Sequence, residues 1–159
     1  CEKGFKDVMS KGPLAAFPMV GIKVTLNDGK YHDVDSSDLA YQLAARTAMR
    51  EAVKKSSPVL MEPVMKVEVE TPSDFQGSVI GDLSSRRGVV YGTEVNGDDT
   101  VINAGVPLGE MFGYATQLRS LTSGKANYSM EFEKYNRCPA FVQEKVIKER
   151  AEKMREEQG

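Results

Sequence analysis

Across residues 64–134 the hydrophobic positions change period repeatedly, from every second residue to every third or fourth and back. Val67 and Val69 alternate with Lys66, Glu68 and Glu70, the mark of a strand with one wet face. Leu108, Met111, Ala115, Leu118 and Leu121 instead recur at helical spacing, and Gly124 is placed to end that helix in a left-handed conformation. The whole run predicts strand 64–70, helix 73–85, strand 88–95, strand 100–106, helix 108–121 and strand 126–134. Thr71-Pro72-Ser73-Asp74 opens the first helix and Pro107 the second, since proline's missing N–H costs nothing in a first turn. Asn96-Gly97-Asp98-Asp99 joins the middle two strands as a hairpin. A β-α-β-β-α-β order is that of a ferredoxin-like sandwich.

The first sixty residues follow another pattern. Glu2 to Ser10 reads as helical, and Ile22, Val24 and Leu26 alternate with Lys23 and Thr25, which predicts a strand over 19–27 and a turn at Asn27-Asp28-Gly29. Asp35-Ser36-Ser37-Asp38 then offers an N-cap for a helix over 36–55, which Ser56-Ser57-Pro58 stops. Glu62-Pro63 begins a new extended run, so a domain boundary falls near residue 60. From Pro139, Val142, Val146 and Ile147, with Glu144–Lys148 and Glu149–Lys153 four apart, predict a closing helix whose charges form a solvated face. The expected class is α+β: a partial α/β unit over 1–60, the ferredoxin-like sandwich over 61–138, and a helix over 139–159. The chain starts at Cys1 already inside helical pattern, so it is expected to be a fragment.

Charge narrows the partners. The net charge is −2, and only residues 1–61 are basic, with nine Lys/Arg against seven Asp/Glu; residues 62–138 hold seven against eleven. Any contact with nucleic acid must therefore come from a few placed groups and not from a broad positive field. Cys1 and Cys138 have no metal-site spacing, and a chain without a long apolar run or a basic-then-apolar leader is expected to be cytoplasmic, with no membrane partner.

Catalytic patterns are missing from the sequence. No G-x-x-x-x-G-K-[ST] loop is present, and the one histidine, His32, has no thiol or Ser/Asp set that spacing can bring to it. Glu68 and Glu70 share a strand face, an arrangement far more common in solvent than in a general acid/base pair. What stands out is the polar side of the 108–121 helix: Gln117, Arg119, Ser120 and Thr122, where a plain amphipathic helix more often carries Glu and Lys.

Four segments, in order, resemble the signature segments of bacterial elongation factor G. They are Tyr31-His32-Asp33-Val34-Asp35-Ser36-Ser37-Asp38-Leu39-Ala40, Pro58-Val59-Leu60-Met61-Glu62-Pro63, Ile80-Gly81-Asp82-Leu83-Ser84-Ser85-Arg86-Arg87-Gly88, and Val106 to Gly124. The resemblance covers nearly the whole chain. It implies the second half of domain IV over 1–60, domain V over 61–138 and the C-terminal helix, with the GTPase domain, and hence GTP and Mg, lying upstream. It further implies a ribosome-binding part of the factor that promotes tRNA–mRNA translocation, an arm without chemistry of its own. Its partners would be rRNA, stalk-base proteins, and tRNA–mRNA at the decoding centre. Lys30 and His32 fall on a domain IV tip position, where an imidazole can stack on a base and an ammonium can pair with phosphate. Arg86, Arg87, Arg119 and Ser120 are the candidates of domain V for phosphate or stacking contacts, although each arginine has acids nearby that could take it in an ion pair instead. A domain IV lacking its first half should expose apolar surface and an unpaired edge at 19–27, which invites self-association. Two other readings stand beside this one: a paralogue serving ribosome recycling or tetracycline protection, and a ferredoxin-like module binding a small metabolite.

Overall fold

The computed structural model describes residues 1–158 and divides into two compact units, Cys1–Leu60 with the segment from Cys138 onward, and Met61–Arg137.

In the second unit β1 (Met61–Pro72) is followed by a 3-10 turn (Ser73–Phe75) and α3 (Gln76–Ser85), numbered after two helices of the first unit, α1 (Glu2–Met9) and α2 (Asp38–Lys55). Then come β2 (Val89–Asn96), β3 (Asp99–Pro107), a second 3-10 turn (Leu108–Glu110), α4 (Tyr114–Thr122) and β4 (Asn127–Arg137). The strands lie in the order β2-β3-β1-β4, all antiparallel, with β1 and β3 central. This is the sandwich the sequence predicts, an α+β fold with the helices over one sheet face. Val67 and Val69 of β1, Ile102, Ala104 and Val106 of β3, Val79 and Leu83 of α3, and Tyr114 and Leu118 of α4 form its core. Glu68 and Glu70 are exposed, as their alternation with those valines requires.

The helix expected over 108–121 is broken. Leu108–Glu110 is a 3-10 turn, Gly113 turns the chain at φ 74°, and the α-helix starts only at Tyr114. The break rotates the buried face to Met111, Tyr114, Leu118 and Thr122, leaving Ala115 and Leu121 half-buried. Glycine takes positive φ without the Cβ penalty, so Gly113 ends one turn and starts another where the apolar spacing alone would run through.

In the first unit Ser37 caps α2, its hydroxyl accepting the Ala40 N–H at 3.1 Å. Val8 of α1 packs with Met49 and Val53 of α2. The closing helix α5 (Ala140–Glu156) lays Val142, Val146 and Ile147 against Ala15, Leu60 and Cys138. The strand expected over 19–27 does not form: no ladder includes it among the described residues, and Val20 and Leu26 stay largely exposed. The alternation is real, but a strand needs a partner edge for its backbone, and this unit supplies none.

Candidate RNA-contact surfaces

The polar side of α4 carries Gln117, Arg119 and Ser120, all exposed. Thr122, expected on this side, is buried instead, its hydroxyl donating to the Leu118 carbonyl at 2.7 Å and accepting the Ala126 N–H at 3.3 Å. The segment 111–130 contains Arg119 and Lys125 and no Asp or Glu, although residues 62–138 hold eleven acids. A polyanion therefore meets no carboxylate from this stretch of chain, in a unit whose charge is otherwise acidic.

Arg86 and Arg87 end α3 and are drawn inward. The helix closes with the Gly88 N–H on the Leu83 carbonyl at 2.9 Å and the Arg87 N–H on the Ser84 carbonyl at 3.1 Å, which places Arg87 at φ 59° where glycine is usual. Its guanidinium donates both Nη to the Glu62 carboxylate, at 2.8 and 2.9 Å, and Nε to Glu110 at 3.1 Å. The Glu62 bonds raise its pKa further above the ordinary arginine value, against the opposing effect of burial. Arg86 donates Nε to Asp82 at 3.0 Å and Nη1 to the Glu110 and Phe112 carbonyls, and lies over the Tyr114 ring at 5.1 Å. The two arginines thus tie the end of α3 to the 108–113 turn ahead of α4. Tyr114 is buried, meets Tyr128 edge-on at 5.0 Å, and its hydroxyl has no hydrogen-bond partner among the described residues; burial pushes its pKa well above the ordinary value.

In the first unit Lys30 and His32 lie in an exposed turn whose backbone is fixed while the side chains are free to reach outward. The Ser36 hydroxyl accepts the His32 N–H at 2.7 Å, the Ser36 N–H donates to the His32 carbonyl at 3.1 Å, and the Tyr41 hydroxyl donates to the Lys30 carbonyl at 3.1 Å.

Sequence reasoning missed three features. Phe112 stands 81% exposed between the two turns that precede α4, where the only sequence signal is the glycine after it. Glu62 and Glu110 are the partners of Arg87, far apart in sequence. On the open sheet face, Tyr91 and Glu133 are the extra residues at bulges in the two edge strands, and the Tyr91 hydroxyl donates to Glu133 at 2.8 Å across Gly105. A Cβ on Gly105 would collide with that tyrosine. Burial, then Glu133, raises the Tyr91 pKa. Among the described residues no cluster of His, Cys, Asp and Glu could hold a metal ion, and no helix is long and apolar enough to cross a membrane.

Comparison with known proteins gives two family matches, elongation factor G domain IV over residues 1–57 and elongation factor G C-terminus over residues 59–146. The chain is 55% identical over 149 residues to elongation factor G of Aquifex pyrophilus, covering 94% of this chain and 21% of that protein. It is 52% identical over 153 residues to elongation factor G 1 of Syntrophus aciditrophicus (strain SB), covering 96% and 22%. A crystal structure of a Thermus thermophilus protein superposes with a TM-score of 0.86 at 40% identity, over 95% of this chain and 23% of that one. The chain spans about a fifth of the length of the relatives it matches.

Proposed function

The chain belongs to the elongation factor G family, and we propose that it is the ribosome-contacting C-terminal part of a translocation factor, working by contact and not by chemistry. The translocase role belongs to the longer protein, whose GTP- and Mg-binding domain would lie upstream. The observation that carries the reading is the surface of α4: a rigid helix presenting Arg119 and Ser120 from an acid-free segment of an otherwise acidic unit. Arginine serves both phosphate pairing and base stacking, so a single placed guanidinium can hold large-subunit rRNA where overall charge cannot. The backbone-fixed turn at Lys30 and His32 offers the second contact, imidazole toward a base or ribose and ammonium toward phosphate at the decoding centre.

Arg86 and Arg87 take another part. Their guanidinium groups are held by Asp82, Glu62 and Glu110, so they support the α4 surface from behind in place of touching RNA themselves. Equilibrium binding of the chain to 70S ribosomes at low and moderate salt tests the reading. Binding that Arg119→Ala and His32→Ala each weaken is the expected result; binding indifferent to both substitutions would overturn the assignment of these surfaces.

A further inference from the structure

We infer that Phe112 is a nucleobase-stacking residue, a contact added to those of Arg119 and Ser120 and resting on the ribosome-binding reading of α4. Phe112 is 81% exposed, more than any other aromatic among the described residues, an outward placement that a backbone turn can force. Here the backbone does the forcing. The 3-10 turn at Leu108–Glu110 stops before Phe112 and Gly113 follows at φ 74°, so the ring is thrown off the end of α4 while the flanking Met111 and Tyr114 are buried. Arg86 fixes the same turn by donating Nη1 to the Glu110 carbonyl and, at 3.4 Å, to the Phe112 carbonyl. The backbone that presents the ring is therefore held in place, and little backbone ordering entropy remains to be lost when a flat partner docks.

The chemistry of the surroundings selects the partner. Phe112 belongs to the stretch 111–130 that carries Arg119 and Lys125 and no acid, and the acids beside that stretch's start, Glu110 and Asp82, are bonded to Arg87 and Arg86, a charge balance that suits a phosphate backbone with a base splayed from it. A single exposed ring in a segment with this charge balance resembles a stacking platform more than an apolar protein-binding patch, which would need several large apolar neighbours.

The test is binding of the full chain to 70S ribosomes as Phe112→Ala, Phe112→Trp and Phe112→Leu, each across a salt series. Stacking predicts about 5- to 150-fold weaker binding for the alanine variant, the range of base–aromatic stacking per base. It also predicts an unchanged salt slope, because no charge is removed, near-normal binding for tryptophan, and a thermal midpoint equal to wild type in all three. Leucine binding as well as phenylalanine would point to an apolar protein pocket and overturn the inference. Alanine binding as well as wild type would overturn it too while leaving the α4 reading intact, whereas failure of the wild-type chain to bind at any salt would overturn both.

Discussion

Arg87 combines a backbone cost with a side-chain gain, and two substitutions separate them. At φ 59° it occupies the left-handed position after a helix, about 1 kcal/mol less favourable for a residue with a Cβ than for glycine. Against this stand the two-pronged pair with Glu62 and the bond to Glu110. Fully buried pairs cost about 3–5 kcal/mol to break. The side chains of Arg87 and Glu62 are 24% and 14% exposed, so about 2–3 kcal/mol is the expected loss for Arg87→Ala. Arg87→Gly loses the same bonds but regains the backbone term, and it should be about 1 kcal/mol less destabilised than alanine. The assay is native-state hydrogen exchange at Val67 and Ile102, core positions of the central strands whose opening reports on this unit. An alanine variant as stable as glycine, or both as stable as wild type, would refute the argument that the clamp holds a strained backbone in place.

Three further outcomes follow from particular groups. Tyr114→Phe removes a buried hydroxyl that has no partner among the described residues and should raise stability by about 1–2 kcal/mol, measured by urea unfolding; a loss would show that the hydroxyl is satisfied. The same residue and Tyr91 set an alkaline limit. Both have folded pKa values raised above the ordinary 10.0, so their stability contribution is complete below pH 10.0 and is lost as pH rises beyond it, when the unfolded chain ionises first. The Tyr114→Phe variant should lose less stability between neutral pH and alkaline pH than wild type, and an equal loss would contradict the assignment. Segment 19–27, with Val20 and Leu26 exposed and no ladder, should make the chain self-associate; Val24→Glu should reduce the association seen by sedimentation velocity, and a monodisperse wild-type monomer would contradict it.

The sandwich was legible because its core residues lie close together in the pattern: Val67 and Val69 alternate cleanly, and the helices are opened by prolines and a cap signal. What escaped the sequence depended on one local backbone turn and on distant groups. The spacing of Leu108, Met111, Ala115 and Leu118 fits a continuous helix as well as a turn and a helix, and only the backbone at Gly113 decides between them. The alternation at 19–27 has the period of a half-buried strand, yet residues 20–27 are all exposed, because a strand exists only with a partner edge. Arg86 and Arg87 could have faced rRNA or any of eleven acids, and the fold chose Asp82, Glu62 and Glu110. Lys30, His32, Arg119 and Ser120 remained outward, where local sequence already placed them.

The most direct test of the contact surface is tethered hydroxyl-radical probing of 70S ribosomes from a single cysteine at Ser120→Cys, in a Cys1→Ser background that leaves only the buried Cys138. The account predicts strong cleavage of large-subunit rRNA from this position and little from a probe placed at Glu70 on the open sheet face. Equal cleavage from the two positions, or none from Ser120→Cys while the chain is bound, would contradict the claim that α4 meets ribosomal RNA.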